Sequence, residues 1–305
     1  MSNYWTEYWR QGHITSFGDD LNGNYEGELA EGWRAFFLSL KGEPLTVVDI
    51  GTGNGALIDI GLNTLHRDDI SYIGVDYAKL SISESLRKDN IRFLEKTDAA
   101  ALPLDDASVD VIISQFGIEY SNLSQSVAQC ARVMKPEGIL RFIMHYDKSS
   151  IVAPNKQIML ALQQLQHEKG VLFYLRQLVN ALAKYGKQSA QSESARIALN
   201  SSLDSLVRAN KAGLFGTGFP AFLKTVMNPN LSLKQQKSMI KLFEREMSGQ
   251  QARLQDLVSC ALDKHRIEQL LQQLTSLGFT SLNNKTVLQD GKIIGVLISG
   301  VKSSG

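Results

Sequence analysis

From Leu45 to about Lys148, short apolar runs alternate with amphipathic stretches. Thr46-Val47-Val48-Asp49-Ile50 is apolar on both faces, as a strand covered from both sides must be. The same texture returns at Ser71–Asp76, Ile91–Leu94, Val109–Ser114 and Gly138–Met144. The stretches between read as helices: from the Gly51–Gly55 turn to about His66, near 79–88, and near 122–134. Strands alternating with helices predict a parallel sheet with helices on both faces. Over 149–262 strand patterning stops and apolar residues recur at helical spacing, as in Leu172, Leu175, Leu178, Val179 and Leu182. Breaks are expected at Gly213–Pro220 and at Asn228-Pro229-Asn230. From Asp263 a helix leads to Leu277. Two further apolar runs, Phe279–Leu288 and Ile293–Ile298, then flank Asp290-Gly291, a hairpin signal. The aromatic-rich residues 1–44 suggest helices near 3–11 and 26–40.

The expected fold is therefore α/β and Rossmann-like: a mostly parallel sheet, a C-terminal antiparallel hairpin, and a helical cap inserted after the fifth strand. The expected organisation is 1–44 as an aromatic amino-terminal segment, 45–148 with 263–305 as the core, and 149–262 as the cap.

Composition narrows the functional classes. A hydrophobic fraction of 43% with 21% charged residues is that of a folded chain, not a disordered one. The net charge of +1 supplies no overall attraction to nucleic acid or an anionic membrane, although Lys and Arg outnumber Asp and Glu in 149–262. The two cysteines, Cys130 and Cys260, lack a CxxC partner or a Cys/His cluster, so neither a disulfide framework nor a metal site is expected. No apolar run approaches the roughly 20 residues that span a bilayer. Met1–Trp5 lacks a basic stretch followed by an apolar core, and the cytoplasm is the expected compartment.

The densest chemical signal is Val47-Val48-Asp49-Ile50-Gly51-Thr52-Gly53-Asn54-Gly55. A glycine turn after a first parallel strand brings backbone close to a ligand, and the next helix offers its positive end. Asp76 ends the second strand, where a carboxylate can accept both hydroxyls of a ribose. Gly51-x-Gly53-x-x-Ala56 also fits a dinucleotide fingerprint loosely. Asp49 opposes that reading, because its charge would face a pyrophosphate; it suits an amino group and a positive sulfonium.

With Thr97–Leu104, Val109–Tyr120 and Arg132–Gly138 in the same order, residues 45–145 resemble the class I S-adenosylmethionine-dependent methyltransferases. The nearest type is that of ubiquinone and menaquinone biosynthesis (type 11). The resemblance implies a seven-stranded sheet and S-adenosylmethionine as cofactor, leaving S-adenosylhomocysteine. It places Gly51, Thr52, Gly53 and Gly55 around the methionyl part with Asp49 near its amino group. Asp76 would hold the ribose with Tyr77 against the adenosyl group, and Asp98 and Ala99 would read the adenine. Ser114, Gln115 and Phe116 would approach the methionyl end. Asp98 as a cap on Ala99–Ala101, and Asp110 as a structural carboxylate, are the local alternatives.

In-line methyl transfer depends chiefly on alignment, with a base needed only for a protonated acceptor. Near the methyl position the candidates are His145, Glu119 and Tyr120. Tyr8, Trp9, His13 and Phe17 are candidates for an aromatic lid, with packing of a first helix as the alternative. The expected acceptor is a small-molecule or carrier-bound metabolite. RNA or protein methylation through the basic cap, an inactive cofactor-binding protein, and a nicotinamide-dependent oxidoreductase are the competing readings.

Overall fold

The structure is a computed structural model describing residues 4–15, 23–42 and 44–304. The chain divides into two compact units, Met1–Ser150 with Cys260–Gly305, and Ile151–Ser259.

The first unit holds a seven-stranded sheet in the order β3-β2-β1-β4-β5-β7-β6. Its strands are β1 Leu45–Ile50, β2 Ile70–Val75, β3 Ile91–Leu94, β4 Val109–Gln115, β5 Met134–Met144, β6 Phe279–Gln289 and β7 Lys292–Lys302. β1 to β5 are mutually parallel, and β7 runs antiparallel to both β5 and β6. The hairpin expected at Asp290-Gly291 forms there, with positive φ at both residues (50° and 69°), as a tight primed turn needs. The chain steps outward from β1 to β3 and returns to β4. That order reverses between β1 and β4, which opens a crevice at their carboxyl ends.

The unit's helices are α1 Tyr4–Trp9, α2 Gly27–Ser39, α3 Ala56–Leu65, α4 Leu123–Val133 and, after the second unit, α10 Lys264–Ser276. Val127, Cys130 and Ala131 of α4 and Leu270 and Leu274 of α10 share one core with Val48, Ile112, Leu140 and Phe142 of the sheet. Around Gly61 of α3, the Phe37 ring and Tyr72 hydroxyl close so tightly that an added Cβ would lie 2.9 Å from the hydroxyl.

The helix expected near 79–88 does not form; a single 3-10 turn at Glu84–Leu86 takes its place. Three serines and Ile82 are poor helix formers. Side chains from elsewhere also hold its first residues in an irregular path: Leu80 N–H goes to Glu95 and Ser81 N–H to Asn54.

The second unit is helical: α5 Val152–Gln166, α6 Val171–Tyr185, α7 Ala190–Gly216, α8 Phe219–Val226 and α9 Leu233–Cys260. It has its own core, including Leu162, Leu175, Leu178, Val179, Phe219 and Ile240. The break expected over Gly213–Pro220 becomes two: Asn210 (φ −156°, ψ 65°) kinks α7 just before it and Thr217-Gly218 ends the helix, with Gly213 and Gly216 in the helical turns between. Gly213 sits where an added Cβ would lie 2.2 Å from the Gln157 carbonyl, so it serves the close packing of helices there. The Asn228–Asn230 break separates α8 from α9 as expected.

Candidate functional site

At the carboxyl ends of β1 and β4, the first unit encloses a cavity of about 520 Å³. The glycine loop is shaped by what packs against it. Gly51, Gly53 and Gly55 have φ of 69°, 52° and 92°, in the left-handed region that favours glycine. A Cβ on Gly51 would lie 2.5 Å from the Cα of Gly117, in the turn after β4. A Cβ on Gly53 would lie 2.6 Å from the Trp9 ring. These glycines thus bring neighbouring protein against the loop, an outcome the ligand-only reading of the motif missed.

Asp49, Gly51, Thr52, Asp76, Tyr77, Asp98, Ala99, Gln115, Phe116 and Tyr120 all line this cavity. Asp49 ends β1 and is 2% exposed, with no good hydrogen-bond donor to either carboxylate oxygen among the described residues. Burial pushes its pKa up to about 7; the Thr52 hydroxyl offsets this only in part, and the Asp76 charge adds to it. A buried carboxylate in that state is relieved by a cation. Asp76, past β2, accepts N–H bonds from Gly53 and Ala78, both at 2.8 Å, and burial raises its pKa. The Tyr77 N–H also acts on it, and a carboxylate has capacity for about four such bonds.

Asp98 accepts the Ala100 N–H at 2.9 Å and caps the 3-10 turn Ala99–Ala101. The capping role and a place in the cavity wall therefore coexist. Gln115 accepts from the Trp33 indole through Oε1, while its buried Nε2 is unsatisfied. Phe116 holds φ at 52°, a conformation a bulky residue seldom adopts.

Five expected residues stand outside the cavity lining. Ser114 is wholly buried and does not line the cavity: its hydroxyl donates to the Ile50 carbonyl (2.6 Å) and accepts the Ile118 N–H (3.0 Å). It ties β1 to the turn after β4. Gly53 and Gly55 also stand outside the lining, since Trp9 covers the first and Leu86 and Phe93 pack on the second. Glu119 turns away from the cavity and accepts the His145 backbone N–H at 2.8 Å. Burial pushes its pKa up to about 7 despite that bond. His145 does not line the cavity either; its ring stacks on Phe116 at 4.5 Å and meets Tyr120 edge-on at 5.8 Å. Burial drops its pKa to about 3, so the ring is neutral at physiological pH. Of the three catalytic candidates, only Tyr120 reaches the cavity.

Among the lid candidates, Trp9 lines the cavity, joined by Trp5, Thr6 and Ile14. Tyr8 and His13 do not; they stack on each other at 4.4 Å, and the Tyr8 hydroxyl donates to the Thr15 carbonyl. Phe17 lies outside the described residues. Trp5 was missed as a site residue, and only its i,i+4 spacing from Trp9 signals a shared face. Among the described residues no group of His, Cys, Asp and Glu gathers in a way that could hold a metal. No described helix is long and apolar enough to cross a membrane.

Residues 48–142 match a family model described as a methyltransferase domain. A malonyl-[acyl-carrier protein] O-methyltransferase of Coxiella burnetii is 33% identical over 110 residues, covering 36% of each chain. A demethylmenaquinone methyltransferase of Deinococcus radiodurans is 31% identical over 118 residues, 36% of this chain and 47% of that protein. The chain thus spans less than half the length of either relative. Among solved structures, the CMeT domain of the citrinin polyketide synthase shares 13% identity over 91% of this chain and 53% of that one, with a TM-score of 0.44.

Proposed function

We propose, from residues 48–142 as a class I S-adenosylmethionine-dependent methyltransferase domain, that the chain methylates a small-molecule or carrier-bound metabolite. The observation that carries the reading is Asp49, a buried carboxylate near pKa 7 without a good donor, facing a cavity that also contains Asp76 and Asp98. That set fits the cofactor: Asp49 for its amino group, Asp76 for the ribose hydroxyls, Asp98 and Ala99 for the adenine, with Tyr77 against the adenosyl group. Gln115 Nε2 is a spare donor for its carboxylate or for the acceptor. When bound, S-adenosylmethionine supplies an activated methyl group on a sulfonium.

The chain's own task is then orientation and exclusion of water. Phe116, held by its strained backbone, and Tyr120 fix one wall, with Trp5 and Trp9 in the same lining. Their aromatic faces suit a positive charge. No proton transfer is assigned to Glu119 or His145, because neither reaches the cavity. Acceptor choice is assigned to the segments outside 48–142, including the helical unit Ile151–Ser259, which leaves the chain after β5. The acyl-carrier-protein and quinone relatives support metabolite acceptors of both kinds without choosing between them.

Calorimetric titration with S-adenosylmethionine, S-adenosylhomocysteine and NAD⁺ tests the reading. Micromolar binding of both adenosyl ligands is expected, with none for NAD⁺, and Asp76→Ala should weaken it on the order of 100-fold, the weight of two charge-assisted hydrogen bonds. Binding of NAD⁺ alone would replace the proposal with an oxidoreductase.

A further inference from the structure

Asn54 stands between Gly53 and Gly55, is 2% exposed, and spends its side chain on two separate segments. Nδ2 donates to the carbonyls of Trp9 (2.9 Å) and His13 (2.7 Å). Oδ1 accepts the N–H of Ser81 (2.8 Å), in the loop that follows Asp76. Both amide protons are thus committed to the amino-terminal segment. Two further contacts act in the same direction. The Trp9 ring fills the space above Gly53 that any side chain there would occupy, and the Lys79 N–H donates to the Thr6 hydroxyl at 3.2 Å.

The segment so held carries Trp5, Thr6, Trp9 and Ile14, which line the same cavity as Asp49 and Asp76. A ligand held by those carboxylates is enclosed on one side by residues 4–15. That wall is joined to the glycine loop through one buried amide. Helix α1, with six residues, is too short to be stable alone and depends on such ties.

We propose that Asn54 is a positioning residue, a latch that holds residues 4–15 across the glycine loop and sets how fast the product cofactor leaves. The proposal rests on reading the cavity as the adenosyl site. Opening the wall requires giving up both Nδ2 bonds and lifting Trp9 from Gly53. Closing it again needs only local rearrangement, so the latch acts on dissociation more than on association.

The test uses the full chain and two variants. Asn54→Ala removes the latch; Asn54→Asp keeps an acceptor for Ser81 and removes both donors. Hydrogen exchange of the ligand-free protein should speed up on the order of ten-fold over residues 4–15 in both variants, the weight of one or two neutral hydrogen bonds. Exchange in α3 should not change, which separates the latch from general loosening. Stopped-flow tryptophan fluorescence with S-adenosylhomocysteine should show release accelerated by a similar factor and association changed less. Should Asn54→Ala fail to fold, Asn54→Asp carries both readouts. Wild-type exchange over 4–15 in Asn54→Asp, or faster exchange with unchanged release, overturns the latch. Failure of the wild-type protein to bind S-adenosylhomocysteine would instead sink the functional reading, and with it the role in cofactor release.

Discussion

Glu119 and His145 lie within one hydrogen bond of each other, and burial moves them in opposite directions. Both shifts favour the neutral form. For Glu119 the folded pKa of about 7 lies above its ordinary 4.5. Its contribution to stability is therefore full below pH 4.5 and is lost as pH rises through 7. Glu119→Gln, uncharged throughout, should be more stable than wild type at pH 8, by up to roughly 3 kcal/mol for a shift of this size. At pH 5 that advantage should largely vanish. Thermal melts at both values check this, and an equal difference at each would refute it. Asp49 obeys the same sign. A cationic ligand ionises it, so affinity for S-adenosylhomocysteine should rise from pH 6 to 7.5, and Asp49→Asn should flatten the rise. His145, neutral above pH 4, contributes no limb near pH 6.5. His145→Gln should leave the pH profile of turnover unchanged and its size within a few-fold, since the ring's contacts with Phe116 and Tyr120 are packing contacts. The residue types at 119 and 145 suggested acid–base chemistry because a sequence shows a side chain's kind, not the direction it points.

At the scale of elements, the motifs were legible where their periodicity had one structural solution. The inner strands are apolar on both faces, so β1, β2 and β4 stand where the pattern put them; the Asp-Gly turn could close only a hairpin. The segment 79–88 departs from its pattern: its apolar spacing suits a helix, whereas its first residues are anchored to Glu95 and Asn54 from elsewhere in the chain. No local window contains those partners. Parts of the motifs that carry the resemblance also prove to be braces. Arg132 donates to the carbonyls of Leu102 and Leu104, and Lys135 pairs with Asp110, which in turn accepts the Thr46 N–H. Asp110 is thus the structural carboxylate its strand-start position suggested. The tight approach of Gly51 to Gly117 joins two turns more than sixty positions apart and was legible only at its first member. Gly117 has a negative φ of −127°, so no left-handed backbone demands a glycine there. An added Cβ would nevertheless lie 2.8 Å from the Gly51 Cα and the Ile50 carbonyl. Gly117→Ala should cost about 1–3 kcal/mol by overpacking and weaken cofactor binding beyond that. Denaturant melts and calorimetry measure the two losses, and wild-type values in both would mean the turns can part freely.

For the whole molecule, the decisive feature is how the chain leaves and re-enters the sheet unit. The Leu262 N–H donates to the His145 carbonyl and the Asp147 N–H to the Leu262 carbonyl, at 2.8 and 3.0 Å, with Tyr146 bridged to Leu262. Ser150 in turn donates to the Ile293 carbonyl. Departure and return are therefore clamped side by side by backbone bonds that belong to the first unit. Each unit also has its own apolar cluster, one built on the sheet and the other on α5 to α9. Replacing Ile151–Ser259 with a short Gly/Ser linker should then leave a folded sheet unit, because the loop-closure cost of a few residues is small against an intact core. That shortened protein should bind S-adenosylhomocysteine with an affinity within a few-fold of the full chain and lose methylation of any acceptor the full chain uses. Far-ultraviolet circular dichroism, calorimetry and a methyl-transfer assay separate the possibilities. Retained methylation would remove acceptor choice from the helical unit and leave it to the amino-terminal segment. Lost cofactor binding in a folded protein would mean that the sheet unit cannot form the proposed adenosyl site alone.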